Sequence, residues 1–316
     1  MSLLTSAATK RIAWNAADYA ANSAVQQTWA RELIAKLKLR GDEHVLDVGC
    51  GDGKVTAEIA RALPRGSVTG VDASPQMIEF ARKNFPTTQY SNLRFRVMDA
   101  RKLGGGDSSA QSADRRAHAA RKSGDAGVAA TRQFDFVFSN AALHWVDDHQ
   151  AILRGAASVL KPGGRLVVSC GGKGNAHDVF LALRPEMRLK RWCGFFRKMP
   201  MPYFFYTPGD YEKWLPKFGF QINRLELAPK DATYAGAEGF ATWLRTTWIP
   251  YVQRVPEKVE QASSLPMSGK MPDPQKNLRE EFIAAVTARY LAKHPPDKSG
   301  QVHVRMVRLE MDAVKI

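Results

Sequence analysis

The stretch Val45-Leu46-Asp47-Val48-Gly49-Cys50-Gly51-Asp52-Gly53 decides the fold. An apolar run with an acid near its end breaks into three glycines at alternate positions. A helical pattern follows at once, with Val55, Ile59, Ala62 and Leu63 at i, i+4, i+7 and i+8. The stretch reads as strand, tight glycine turn and helix. Glycine permits positive φ and lets the backbone approach a ligand with no Cβ in the way. The helix beyond offers unsatisfied N–H groups at its N-terminus. This is the first half of a nucleotide-binding βαβ unit.

Spacing narrows the nucleotide. Gly49-x-Gly51-x-Gly53 is not the dinucleotide G-x-G-x-x-G, and no P-loop lysine and Ser/Thr pair follows. Val68-Thr69-Gly70-Val71-Asp72 is a second apolar strand ending in an acid. Asp72 lies 25 residues after Asp47, close to the offset of about 20 at which a carboxylate reaches ribose hydroxyls. Ser74-Pro75 reads as an N-cap with proline at the first helical position. Leu93-Arg94-Phe95-Arg96-Val97 is a third strand, followed by Asp99-Ala100. Phe134-Asp135-Phe136-Val137-Phe138 is a fourth, followed by Ser139-Asn140. Residues 147–160 form an amphipathic helix with Ile152, Ala156, Val159 and Leu160 on one face. Leu160-Lys161-Pro162-Gly163-Gly164 ends that helix and starts the strand Arg165-Leu166-Val167-Val168-Ser169. Phe220 to Leu227 alternates like a half-buried strand, and Val302 to Met311 alternates again. The parity of the last slips at Met306-Val307, which predicts a bulge or burial on both faces. The count is seven strands.

Composition bounds the rest. A chain of 316 residues, 44% apolar, can build one large domain or a domain with a cap. It has no run of 18 apolar residues, so no transmembrane helix and no stable membrane insertion are expected. Met1 to Arg11 lacks the apolar core of a signal peptide. The three scattered cysteines suggest reduced thiols and a cytoplasmic protein. No Cys/His spacing resembles a metal site. The net charge, 46 − 31 = +15, favours anionic partners without separating nucleic acid, acidic lipid and carboxylate metabolites.

The chain divides by pattern. Residues 1–13 read as a flexible tail and 14–175 as the nucleotide-binding core. Within that core, 104–133 has almost nothing apolar larger than alanine and reads as a mobile insertion. Residues 176–216 read as a cap segment. There Arg184, Arg188, Lys190, Arg191, Arg197 and Lys198 stand among aromatics, and Pro185, Pro200, Pro202 and Pro208 interrupt any long helix. Residues 217–232 return to the core as a strand, 233–300 form a helical cap, and 301–316 supply the final core strand.

Asp47-x-Gly49-x-Gly51-x-Gly53 resembles motif I of the class I S-adenosylmethionine (SAM)-dependent methyltransferases. The later strands with their terminal Asp72, Asp99-Ala100, Asn140 and Lys161-Pro162-Gly163-Gly164 resemble that family's ordered series, apart from the one insertion. The resemblance implies an α/β fold, a seven-stranded doubly wound Rossmann-like sheet with a helical cap. It implies SAM as cofactor and S-adenosylhomocysteine as product. In that pattern Gly49 and Gly51 admit the methionine portion and Asp47 helps to hold its amino group. Asp72 accepts both ribose hydroxyls, with Ala73 and Met77 beside it. Asp99 and the Ala100 amide meet the adenine edge, and Asn140 completes the cofactor set. Each carboxylate also reads as a helix N-cap, Asp99 most of all.

A narrower resemblance concerns the acceptor. Tyr19-Ala-Ala-Asn22-Ser-Ala-Val-Gln26 and Leu143-His144-Trp145 are similar to the trans-aconitate and juvenile hormone acid methyltransferases, which methylate carboxylates of small molecules. Trp243 to Tyr251 resembles the trans-aconitate branch. The resemblance implies that Gln26 and Trp145 donate hydrogen bonds to a substrate carboxylate while Tyr19 closes over the cofactor. A second substrate carboxylate would meet Arg184, Arg188 or Arg245. A carbon or phenol acceptor would instead need a base, and His144 is the nearest candidate. Asn140 is followed by no proline pair, which counts against methylation of nucleic-acid bases. The expected partner is therefore a small anionic molecule and not nucleic acid, for a monomer or weak dimer. The alternatives are a C- or O-methyltransferase of another metabolite, or a non-catalytic RNA-binding or scaffold protein on the same fold.

Overall fold

The computed structural model describes residues 24–104, 134–257 and 277–316. The tail 1–13, nearly all of the 104–133 insertion, and Tyr19 lie outside the described residues. In chain order the elements are α1 (Ala24–Ala35), β1 (His44–Val48), α2 (Lys54–Arg61), β2 (Ser67–Asp72), α3 (Pro75–Asn84), β3 (Leu93–Val97) and β4 (Phe134–Asn140). There follow α4 (His149–Val159), β5 (Leu160–Gly171), α5 (His177–Arg188), α6 (Pro208–Trp214) and β6 (Phe220–Ala235). The chain closes with α7 (Gly236–Thr247), α8 (Ile249–Val252), α9 (Leu278–Leu291) and β7 (Gln301–Lys315).

The seven strands make one sheet in the order β3-β2-β1-β4-β5-β7-β6. Strands β1 to β5 run parallel, and β7 runs antiparallel to β5. Strand order reverses between β1 and β4, so ligand chemistry falls beyond the carboxyl ends of these strands. The inner parallel strands β1, β2, β4 and β5 are covered on both faces, which explains why they read as apolar runs, whereas edge strand β3 alternates and exposes Arg94 and Val97. Leu46, Val48, Val137 and Val168 pack with Ile152, Leu153 and Ala156 of α4. Val45, Val68, Phe138 and Val167 pack in a second cluster with Leu33 of α1, Leu37 just beyond it and Ile59 of α2.

Three local expectations are refined. β5 begins at Leu160, not Arg165, so Leu160 belongs to the strand and not to the face of α4. A register shift between Phe134 and Phe136 absorbs Lys161–Gly164, with Gly163 at φ 75°. The slip in β7 is burial on both faces: Arg308, Leu309, Glu310 and Met311 are all buried, and pairing with β5 runs unbroken from Arg165↔Val314 to Gly171↔Arg308. Pro185 does not break its helix but lies inside α5 near its end.

Contacts divide the chain into two compact units. One holds Ser23–Asn175, Tyr203–Lys230 and Arg305–Ile316, and with them β1 to β5. The other holds Ala176–Pro202 and Asp231–Val304. Its interior is aromatic: Phe240 stacks on Tyr290 at 4.5 Å, Trp192 meets Phe282 at 5.4 Å, and Phe180 meets Trp248 at 4.8 Å. Among the described residues no helix is long and apolar enough to cross a membrane.

Candidate functional site

The glycine turn after β1 is held by its own backbone. Gly49 and Cys50 N–H both donate to Val71 O, at 2.8 and 3.0 Å. Gly49, Gly51 and Gly53 have φ of 77°, 53° and 83°, the left-handed region that glycine occupies without strain. A Cβ at Gly49 would fall 2.2 Å from the Ala142 Cβ, so this turn lies directly against the one that follows β4.

Three carboxylates flank the turn, each in a different state. Asp47 is buried, and burial pushes its carboxyl up to about 7; Thr56 Oγ1, donating at 2.7 Å, opposes the rise and nearby Asp72 adds to it. Asp72 is also raised by burial, but two backbone donors oppose this: Gly51 N–H to Oδ2 at 3.1 Å and Ser74 N–H to Oδ1 at 2.8 Å. Ser74 in turn caps α3, accepting Met77 N–H at 3.3 Å, which fixes Ala73 in the exposed link and buries Met77. Asp99 adopts the N-cap role, accepting Arg101 N–H at 2.9 Å at the head of a short 3-10 turn, Ala100–Lys102. The Arg101 guanidinium grips both its oxygens, at 2.7 to 3.2 Å, and holds its carboxyl below the usual range. Arg101 also reaches Asp147 at 2.9 Å, tying the end of β3 to the segment after β4.

Beyond β4 the chain turns sharply. Ala141 has φ 56° and donates its N–H to Ser169 O at 2.7 Å. Leu143–Trp145 then form a single 3-10 turn. Gly171 N–H donates to His144 Nδ1 at 3.2 Å, so the ring proton sits on Nε2. Burial, then Arg308 and His149, push the His144 imidazole down to about 3. It is neutral at physiological pH and a weak base. Trp145 lies half-buried, 4.7 Å from the Tyr203 ring, and Tyr203 stacks on Phe205 at 5.4 Å. Phe204 N–H donates to His144 O at 2.9 Å and binds this aromatic strip to the turn.

Gln26 falls in the first turn of α1. Arg245 is engaged with Glu280, at 2.6 and 2.9 Å, and Arg184 lies over the Phe180 ring at 5.5 Å. Among the described residues no three His, Cys, Asp or Glu side chains cluster as a metal site would require. Sequence reasoning missed three supports. Thr56 holds Asp47. His149 donates from Nε2 to Leu143 O at 2.8 Å while Tyr211 Oη donates to its Nδ1. Arg308 is a buried cation beside Asn140. No local signal in β7, which also carries Arg305, Glu310 and Asp312, singles it out.

The arrangement fits SAM. The Gly49 cradle leaves no room for a side chain, Asp72 is a preset acceptor pair at a strand end, and Asp47 is a buried carboxylate suited to a cationic amino group. A family model described as a methyltransferase domain matches residues 39–195. A methyltransferase of Schizosaccharomyces pombe, itself uncharacterised, is 29% identical over 67% of this chain and 72% of its own. The trans-aconitate 2-methyltransferase of Deinococcus radiodurans is 28% identical over 77% of this chain and 83% of its own. That of Rhodopseudomonas palustris is 26% identical over 96% and 99%. The YcgJ protein of Bacillus subtilis shares the fold, with a TM-score of 0.50 at 16% identity over 90% of this chain and 97% of that one. The chain is a class I, SAM-dependent methyltransferase. Within that class it resembles the trans-aconitate 2-methyltransferases.

Proposed function

We propose that the enzyme methylates a carboxylate of a small anionic molecule, trans-aconitate-like or a lipophilic acid, to a methyl ester. One observation carries this reading: His144, in the turn after β4, is unsuited to act as a base. His144 Nδ1 already accepts the Gly171 N–H, and its basicity is suppressed to about 3. A carboxylate, with an ordinary pKa of about 4, is already an anionic nucleophile at neutral pH and needs no base. A phenol, carbon or protonated amine acceptor must lose a proton. The similarity to trans-aconitate 2-methyltransferases over most of the chain supports the same class.

SAM, when bound, supplies a sulfonium methyl group open to in-line displacement. Asp47, Gly49, Gly51, Asp72, Ala73, Met77, Asp99, Ala100 and Asn140 would hold it, with Tyr19 closing over it. Trp145 and Gln26 would donate N–H groups to the acceptor carboxylate. Neutral donors hold the anion without quenching it as a salt bridge would. His144 Nε2–H adds a donor of the same kind. Alignment and exclusion of water then lower the barrier, an effect worth roughly 7–11 kcal/mol in well-oriented systems. We further infer a cytoplasmic monomer or weak dimer with no nucleic-acid substrate.

The test is incubation of the protein with methyl-labelled SAM and a panel of free organic and fatty acids. The expected product is labelled and base-labile, as a methyl ester is. A base-stable product, or labelling confined to phenols, carbon acids or macromolecules, would overturn the carboxylate reading.

A further inference from the structure

We propose that Arg308 is a positioning residue of the methyl-transfer site: from β7 it braces the turn that follows β4 and so fixes where His144 and Trp145 stand. The inference rests on the methyltransferase assignment and not on the carboxylate reading.

The bracing is direct. Arg308 is 4% exposed. Its Nη2 donates to Ser169 O at 2.6 Å and to Asn140 Oδ1 at 3.2 Å, and its Nε donates to Ser169 Oγ at 3.1 Å. Ser169 O also accepts the Ala141 N–H. One carbonyl therefore holds both the guanidinium and the first amide of the turn. Ala141, at φ 56°, carries a Cβ in the left-handed region. Such a conformation persists only where its surroundings over-determine it. Arg308 pairs across the sheet with Gly171, whose N–H fixes the His144 tautomer. The Trp29 ring lies 5.3 Å from the guanidinium carbon and confines it further. The planar fork sets Nε on Ser169 Oγ and Nη2 on Ser169 O and Asn140 Oδ1; a lysine ammonium in its place keeps the charge but not this fixed spread of donors.

The charge has its own effect. The titratable and charged groups facing His144 are His149 from α4, Tyr203 from the aromatic strip and Arg308 from β7. Arg308 works with burial to disfavour the imidazolium. It thereby keeps the Nε2–H donor form that the turn presents.

Two variants of the full chain, Arg308→Met and Arg308→Lys, separate fork from charge. The readouts are amide exchange by mass spectrometry and histidine titration by NMR. In Arg308→Met, peptides covering 139–147 should exchange at least about tenfold faster, while those covering 47–58 change by less than about twofold, as loss of local charge-assisted hydrogen bonds requires. The His144 imidazole should also begin to titrate at higher pH than in the wild type. In Arg308→Lys the fast exchange should persist while the titration stays as in the wild type. Unchanged exchange at 139–147, equal acceleration of both regions, or an unmoved His144 titration in Arg308→Met would overturn the proposal. Should Arg308→Met fail to fold, Arg308→Lys decides alone, selective acceleration at 139–147 supporting the bracing role and its absence refuting it.

Discussion

Asp47 and Asp72 end adjacent parallel strands and are held by opposite means. Asp72 has two backbone donors that set both oxygens in place, and each carboxylate oxygen retains capacity for one more donor. Hydrogen bonds to a charged group contribute about 1.5–3 kcal/mol each, so Asp72→Ala should weaken SAM binding on the order of 100-fold or more. Trp145→Ala should leave it within several-fold, because its expected partner is the acceptor; equal losses by calorimetry would refute this division of roles. Asp47 makes a prediction about pH. Its carboxyl is pushed up to about 7 in the folded chain, against about 4 when unfolded. Between those values the folded chain holds a proton that the unfolded chain has released. Stability therefore falls as pH rises from about 4 to 7, and burial of the ionised group is felt in full above that window. Asp47→Asn should melt higher than the wild type at about pH 8 and not at about pH 4, as followed by thermal denaturation. A cationic cofactor amine favours the ionised form, so wild-type affinity for SAM should rise through the same window while that of Asp47→Asn stays flat. Both acids were legible because each closes an apolar strand beside a glycine turn or an N-cap. Thr56 and Arg308 were not, because nothing local marks a helix threonine beneath Asp47 or a strand arginine that meets Ser169 across the sheet.

At the scale of elements, the candidate site is two turns pressed together, one after β1 and one after β4. Gly49 and Gly163 test that contact. Both have positive φ, 77° and 75°, but a Cβ at Gly49 meets Ala142 while one at Gly163 meets nothing within 4 Å. Alanine at either position carries a conformational cost of about 1 kcal/mol. Only Gly49→Ala adds overpacking of about 1–3 kcal/mol. Gly49→Ala should thus lower the melting temperature clearly more than Gly163→Ala and abolish most SAM binding. Equal melting losses would mean that the Ala142 turn yields freely. All seven strands were legible: β1, β2, β4 and β5 as apolar runs, and β3, β6 and β7 by alternation of apolar and polar residues. The boundaries were less so. Lys161-Pro162-Gly163-Gly164 signals a break, yet the ladder absorbs it as a register shift, which only the position of Phe134 reveals. The left-handed turn at Ala141 carries no glycine to announce it. Its support lies in Ser169 and Arg308, far along the chain.

At the scale of the molecule, the helices around Phe240, Tyr290 and Trp192 were foreseeable from their pattern but not their connections. Arg184, Arg188 and Arg245 read as candidate ligands of a second substrate carboxylate, whereas Arg245 pairs with Glu280. Composition shows that such partners exist, not which pairs meet. The 104–133 insertion gives the last test. It separates the 3-10 turn that ends near Leu103 from Phe134, the first residue of β4. Gly155 and Ser158 of α4 lie close against Gly104, so the entry to the insertion is anchored on the core. Its sequence offers almost nothing to bury, so the core should not depend on it. Replacing residues 107–131 with a Gly/Ser link of about ten residues shortens the loop between fixed ends, and each halving of loop length recovers roughly 0.6 kcal/mol of closure entropy. The expected outcome is a melting temperature equal to or slightly above that of the wild type, with SAM affinity and turnover nearly intact. A collapse of turnover with SAM affinity preserved would place the insertion at the acceptor, and a loss of both would place it at the cofactor.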